Sequence, residues 1–384
     1  MKKKILLIAL LILLVTSIKA QYTVGVSYYG DSSWIEYIPG NMPIIIVAPH
    51  AGNLQPTSLP DINTRGSDNG TMDLALFMRD SLHFKAGGCL PHVIINHLRA
   101  NKLNPVHSAS DSATSAGTNA NALNALNQFH AFIQVAHDKV TADFGKGHYF
   151  ELHGNGTAEH WNMVGLGISK SVLKLSDSVI NTKVNNSTIK HLCTTGGANF
   201  LEVLKGSTSL GGMLDSLGWK SAPSPSHPSP PDTATFFYAG QNTWRYGSRS
   251  SGTIDATHLE SYWKFMVYNS NRSKYSNDLA NSILRFMTIH YGFTFNCPTV
   301  GVTEQEVAEN QIKIYPNPAS DNQQITIESS SKITKVLIFD TQGKLCKAIE
   351  NSSSFSSSKL EKGIYLVRIE LESGKVEFEK LVVQ

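Results

Sequence analysis

The sequence predicts an α/β body, a three-layer mixed and mostly parallel sheet with helices on both faces, followed by a small all-β sandwich. Three observations carry this reading. Between about residues 43 and 292, short apolar runs alternate with helix-length amphipathic segments, the order of parallel strands joined by crossover helices. After about residue 311 the chain turns to period-two alternation punctuated by Gly343, Gly363 and Gly374, the pattern of a small antiparallel sandwich. Three apolar runs, IIIVAPH, HYFELHG and DATHLES, finish on or near His50, His153 and Glu260. Ligand crevices of open α/β sheets form at such strand ends.

The elements follow in chain order. MKKK, then ILLIALLILLV, then TSIKA reads as a secretory signal peptide over residues 1–20, cut after Ala20, because a basic start precedes an apolar core too short to span a bilayer comfortably. An uncleaved signal anchor is the blander alternative. No Cys follows the cut to carry a lipid, and no later run is long and apolar enough for a transmembrane segment in the mature chain. MPIIIVAPH is a strand, AGNLQPTSLPDINTRGSDNG a polar loop, and TMDLALFMRDSLHFKAG an amphipathic helix with Thr71 near its start. PHVIINHLR is the next strand, ALNALNQFHAFIQVAHDKVTADFG a long helix and HYFELHG another strand. KSVLKLSDSVINTKV reads as a strand running into a polar segment, ANFLEVLKG as a short helix and DLANSILRFMTIHYG as the closing helix. KSAPSPSHPSPPDTA is too rich in proline for a regular element and is expected as an exposed loop near the site. The expected organisation is a catalytic domain over 21–295, a linker over 296–310 and the β module over 311–384.

Composition narrows the class. A net charge of +3 with scattered basic residues offers no nucleic-acid stripe. The four cysteines, Cys89, Cys193, Cys297 and Cys346, lack metal-type spacing. An oxidising compartment would permit a disulfide with its pairing left open, but Cys346 in the β module and Cys297 in the linker argue against a framework of bridges. There is no Gly-x-Ser-x-Gly elbow, no P-loop, and no cysteine in a nucleophile's surroundings.

The strand-end residues suit a catalytic zinc, which takes two His and one carboxylate and keeps one position open. His50 and His153 supply the imidazoles, and Glu260 is placed to move a proton. Asn53 stands where a His-x-x-Glu motif would put its carboxylate, and an amide is a poor zinc ligand. Among Asp61, Asp68 and Asp73, Asp68 is the expected third ligand, because its loop can fold back over the strand end. Asp73 suits a first-turn acid, and the competing role for Asp68 is an N-cap or Asx turn. Arg99 and Arg245 are candidate forks for a substrate carboxylate, against solvated or carbonyl-capping roles; Arg249 is weaker. His130 and His137, seven apart on the long helix, read as a polar stripe, His92 and His97 read as structural or surface groups, and His160 reads as a loop histidine with no role, the alternative being support of His153. His258, two residues before Glu260, shares its strand face and is the best supporting group.

Taken together, VAPHAG, SDNGTMDLA, HLRANKLN, FELHG and HLESYWKF resemble the N-formylglutamate amidohydrolase family, related in fold to the zinc carboxypeptidases, over roughly Pro43 to Gly292. The resemblance implies a zinc-dependent hydrolase with His50 and His153 as zinc ligands and Glu260 as the catalytic carboxylate. One departure bears on substrate. The family commonly has Arg, then Asp-x-Asn-Arg, after the first helix, whereas this chain has Arg99, then Asn104-Pro105-Val106-His107, with His107 in place of the second arginine. That argues against formylglutamate itself while leaving amide hydrolysis intact. At the other end, Tyr315-Pro316-Asn317-Pro318, the Asp340-to-Gly343 turn, Leu360-x-x-Gly363-Ile364-Tyr365 and Lys380-Leu381-Val382-Val383 resemble the C-terminal sorting domain of the type IX secretion system of Bacteroidetes. That resemblance implies passage across the outer membrane to the cell surface or medium, with the type IX machinery as partner.

The expected function is an exported zinc-dependent hydrolase that cleaves an amide in an N-acyl amino acid or small peptide bearing a free carboxylate. Hydrolysis of peptidoglycan stem peptides or poly-γ-glutamate is the second enzymatic reading. A surface binding protein that kept the fold without the catalysis is the competing reading of a different class.

Overall fold

The computed structural model describes residues 22–62, 66–110, 117–295, 297, 312–329, 331–340, 345–372 and 376–384. The expected signal peptide, nearly all of the expected linker, and the turns at Gly343 and Gly374 lie outside these residues. The chain divides into two compact units, Met1–Val300 and Gly301–Gln384.

The first unit is built on an eight-stranded mixed sheet. Its strands are β1 (Tyr28–Tyr29), β2 (Ile35–Ile38), β3 (Ile44–Ala48), β4 (His92–Asn96), β5 (Gly147–Asn155), β6 (Asn162–Gly165), β7 (Ser221–Ala222) and β8 (Ile254–Tyr262), in the order β1-β2-β4-β3-β5-β8-β6-β7. The central β4-β3-β5-β8 pairings are parallel, and the flanking β1-β2, β2-β4 and β6-β8 pairings are antiparallel. All five residues of β3 are buried, with Ile44, Ile46 and Ala48 in one core and Ile45 and Val47 in the other. This is why its sequence is a continuous apolar run rather than an alternating one.

Helix α1 (Thr71–Lys85) links β3 to β4 and buries Leu74, Ala75, Met78 and Leu82 on the first face. Helix α2 (Ala120–Phe144) links β4 to β5 and buries Ala122, Ala125, Phe129, Ile133, Ala136 and Val140 on the opposite face, a helical spacing. Its start is fixed by Asn119, whose Oδ1 accepts from the Ala122 N–H at 3.0 Å. One crossover therefore leads to each side of β3, and the winding reverses between β3 and β5, the position where doubly wound sheets open a crevice.

Two local expectations are corrected. KSVLKLSDSVINTKV is not a strand but two short helices, α3 (Lys170–Leu173) and α4 (Asp177–Asn181). Leu173 and Ile180 are buried while Leu175 is exposed, whereas a strand would have put Leu173 and Leu175 on one face. The proline-rich stretch begins as the edge strand β7, and Ser221, Ala222 and Ser224 are buried rather than exposed; Ala222 packs with Trp161, Met163 and Ala234. Three further short helices, α5 (Lys190–Thr194), α6 (Phe200–Lys205) and α7 (Leu210–Ser216), complete this insertion. The chain then forms α8 (Gln241–Tyr246), β8, α9 (Trp263–Val267) and the closing α10 (Asn269–Tyr291).

Cys89, just after α1, and Cys297, just after α10, form a disulfide spanning 208 residues of sequence, which supplies the pairing that the sequence left open. The α1–α10 packing brings the two chain exits together, which spacing in the sequence does not reveal. Cys193 and Cys346 are not disulfide-bonded. No helix among the described residues is long and apolar enough to cross a membrane.

The second unit is all antiparallel β, with a three-stranded sheet, β13 (Ser354–Ser356), β10 (Gln324–Glu328) and β9 (Lys313–Tyr315), and a four-stranded sheet, β12 (Leu345–Glu350), β11 (Ile333–Phe339), β14 (Gly363–Leu371) and β15 (Val376–Val383). Alternate residues Val336 and Ile338, Val367 and Ile369, and Leu381 and Val383 enter its core, together with Ile325 and Ile327. That is the period-two pattern of the sequence.

Cys297→Ser is expected to cost about 2–5 kcal/mol of unfolding free energy, because the bridge closes a long loop in the unfolded chain. Denaturant unfolding checks this: a reductant should lower the wild-type midpoint and leave that of the variant unmoved.

Candidate metal centre

The site forms where three neighbouring parallel strands end. β3 is followed within two residues by His50, and β5 and β8 run in a register that sets His153 beside Glu260 and Glu151 beside His258. Side chains two apart on a strand share a face, so four functional groups stand together on one side of the β5-β8 pair. With His50 these make five, and a sixth group, Asp68, comes from the loop before α1. The Asp68 N–H donates to the His50 carbonyl at 2.9 Å, which folds the loop back across the strand end. The close pass needs a glycine beneath it: a Cβ on Gly154 would stand 2.9 Å from Met266 Cε and 3.3 Å from Asp68 Cβ.

Asp68 Oδ2 lies 3.3 Å from His50 Nδ1 and 3.1 Å from His153 Nδ1, and the two rings have centroids 5.0 Å apart. The remaining ring nitrogens face acceptors as well. His50 Nε2 donates to Asn104 Oδ1 at 2.7 Å, and His153 Nε2 donates to Glu151 Oε1 at 3.1 Å. These outer bonds decide the protonation problem at the centre. With each Nε2 carrying the proton it donates, both Nδ1 lone pairs and a carboxylate oxygen point at one another unless a proton or a cation lies between them. Ligands about 2.1 Å from a tetrahedral zinc stand about 3.4 Å apart, close to the separations of Asp68 Oδ2 from the two Nδ1 atoms. The donor set and its outer hydrogen bonds thus fit a zinc-type ion held by His50, Asp68 and His153.

The electrostatics reflect this convergence. Burial works against charge on His153, but the hydrogen bonds to Asp68 and Glu151 and the negative charges of Glu151 and Glu260 raise its imidazole to about 10. Burial likewise opposes ionisation of Asp68, yet its bonds to His153 and His50 hold it well below the usual carboxylate range. Glu151, buried completely, is also held low by His153 and His258. Glu260 sits at the open edge, with Oε1 3.2 Å from His258 Nε2.

These groups open on a cavity of about 770 Å³, lined by His50, His153, His258 and Glu260 and by His107, Phe237, Gln241 and Trp244 among others. The structure brings His50, Asp68, His153 and Glu260 together. It does not bring Arg99 or Arg245 to the cavity wall. Arg99 Nη1 donates to Gln55 Oε1 at 3.2 Å, and the exposed Arg245 lies over the Tyr246 ring at 5.5 Å. No lysine or arginine lines this cavity among the described residues. Asn53 is exposed, Asp61 pairs with Lys102, and Asp73 stands in the first turn of α1, paired with Arg272. The N-cap of α1 is Gly70, which leaves the Asp68 carboxylate for the histidines.

The remaining histidines divide by partner. His130 and His137 bond the hydroxyl and the carbonyl of Tyr246, His92 bonds Tyr37, His97 pairs with Glu36, and His160 stacks on Tyr262. Sequence reasoning passed over Glu151 and gave Asn104 no partner. The alternation that links His258 to Glu260 would have found Glu151 beside His153, but nothing local announces that Asn104 reaches His50.

Residues 313–384 match the family described as the secretion system C-terminal sorting domain, so the β unit carries a sorting module of the type IX kind. The chain matches no curated protein sequence. Similar solved structures include an N-formylglutamate amidohydrolase from Ralstonia eutropha JMP134, 11% identical, covering 65% of this chain and 95% of that one with a TM-score of 0.41. Another is a gene product of Agrobacterium tumefaciens, 8% identical, covering 66% and 94% with a TM-score of 0.42. A third is the CwlD amidase from Clostridioides difficile, determined with the GerS lipoprotein, 12% identical, covering 64% and 98% with a TM-score of 0.27.

The purified protein is expected to hold about one zinc per chain, lost on His50→Ala or His153→Ala and weakened on Asp68→Asn. Elemental analysis beside circular dichroism checks this, and zinc retained by both folded alanine variants would rule the centre out.

Proposed function

We propose that the chain is an exported metal-dependent hydrolase that cuts an amide bond in an N-acyl amino acid or small peptide. The catalytic body would span 21–295, joined through the linker 296–310 to the sorting domain 311–384. The observation that carries the reading is the meeting of two imidazole nitrogens and one carboxylate oxygen at the strand ends, with a separate carboxylate, Glu260, beside them in a cavity.

Zinc, when bound, supplies Lewis acidity that polarises a carbonyl and makes a water easier to deprotonate. The chain's own groups do the rest. His50, Asp68 and His153 hold the ion, with Asn104 and Glu151 fixing the two rings through their outer nitrogens. Glu260 takes the proton from the attacking water and returns it to the leaving amine. His258 Nε2 lies against Glu260 Oε1 and keeps that carboxylate turned to the cavity.

The cavity volume accommodates a short peptide as readily as an N-acyl amino acid. This supports stem-peptide and poly-γ-glutamate segments as substrates of the same chemistry. The arginine clamp expected from Arg99 and Arg245 is not part of the proposal. His107 and Gln241, whose side chains approach at 3.4 Å, are among the polar groups on the wall that would meet the substrate instead.

Glu260→Gln should keep its zinc and lose roughly 10²–10⁴-fold in kcat on any amide that the wild type cleaves. A panel of N-acyl amino acids and short peptides, assayed with zinc content measured in parallel, provides the test. Full activity in Glu260→Gln would sink the mechanism, and a zinc-loaded wild type inert on the whole panel would favour the surface-binding reading.

A further inference from the structure

We propose that Glu151 is a positioning residue that serves both halves of the centre, steadying a metal ligand and the support of the proton shuttle with one carboxylate oxygen. The inference rests on the metal-hydrolase reading above and adds to it a residue outside the His50, Asp68 and His153 set.

The geometry is unusual for a buried acid. Glu151 is fully buried in the middle of β5, where an unpaired carboxylate would be costly. Its Oε2 accepts from the Tyr149 hydroxyl at 2.7 Å, which anchors it to the core. Its Oε1 accepts from His153 Nε2 at 3.1 Å and lies 3.6 Å from His258 Nδ1. The two rings are tilted by 30° with centroids 4.5 Å apart, so the single oxygen sits behind both. Each ring faces outward with its other nitrogen: His153 Nδ1 towards Asp68, and His258 Nε2 towards Glu260.

The backbone above the pair is closed by Gly240. A Cβ there would lie 3.2 Å from Glu151 Oε1 and 3.3 Å from His258 Nδ1, so the chain entering α8 covers both groups. A carboxylate behind a ligating histidine fixes its ring and strengthens it as a donor. Here the same carboxylate also backs the ring that orients Glu260. A plain structural role, knitting β5 to β8, would affect folding but not zinc affinity and turnover together.

The test uses the mature protein and four proteins in parallel: wild type, Glu151→Gln, Tyr149→Phe and His258→Gln. Zinc affinity is read by competition with a chromophoric chelator, and kcat and KM are read at saturating zinc on an amide that the wild type cleaves. Glu151→Gln is expected to weaken zinc about 10–100-fold and to lower kcat by a similar factor with KM little changed. His258→Gln should lower kcat and leave zinc affinity at the wild-type value. Tyr149→Phe, which frees the anchor without altering the carboxylate, should move both quantities in the direction of Glu151→Gln by less, and it decides the matter if Glu151→Gln does not fold. Zinc affinity within about twofold of wild type in both Glu151→Gln and Tyr149→Phe overturns the proposal. A wild type that binds no zinc sinks the metal reading and this inference together. A wild type that binds zinc but cuts no amide sinks only the hydrolase reading, and the zinc arm then decides Glu151.

Discussion

Parallel pairing of β5 with β8 sets His153 beside Glu260 and Glu151 beside His258, and the centre depends on that register. Because side chains alternate strictly along a strand, a slip of one residue would turn one strand's pair into the opposite core and bring Leu152 or Leu259 to the cavity. The register is protected by those same leucines. Phe150, Leu152 and Leu259 are buried in the apolar core on the other face, so the packing that stabilises the sheet also aims the polar groups. The core and the site are two faces of one alignment.

The polar face concentrates charge where it would ordinarily be expensive. Along the strand ends, carboxylates and imidazoles alternate: Glu260, His258, Glu151, His153, Asp68 and His50, closed by the amide of Asn104. Each acid lies against a ring, which is how buried ionisable groups are tolerated. The chain nevertheless leaves two Nδ1 atoms and one carboxylate oxygen aimed at a common point, an arrangement that a proton or a divalent cation between them would resolve.

The cavity wall beside the centre is positioned from a distance. The histidines of α2 do this work: His130 and His137 tie the helix to the hydroxyl and carbonyl of Tyr246 at the end of α8, the helix that carries Gln241 and Trp244 to the cavity. On the far side of the sheet, the Cys89–Cys297 bridge joins the exits of α1 and α10. A disulfide of this kind suits a chain that carries a secretion sorting module, since such bridges persist outside the reducing cytosol.

What the sequence determined by itself was set by local periodicity. The apolar runs IIIVA and YFELH, the helical spacing over Thr71–Lys85 and Ala120–Phe144, and the alternation after residue 311 each encode burial that neighbours within a few residues enforce, and the fold class follows from their order. His50, His153 and Glu260 were legible because they sit at the ends of such runs. Tertiary structure alone decided the rest. That Asp68 reaches the histidines depends on a loop held by the His50 carbonyl and on the bare backbone of Gly154. That Asn104 backs His50, that Arg99 and Arg245 stay off the cavity wall, and that Cys89 meets Cys297 all depend on how separate elements pack. Contacts between segments tens to hundreds of residues apart leave no periodic trace in the chain, because the partner that fixes each side chain is supplied by the fold.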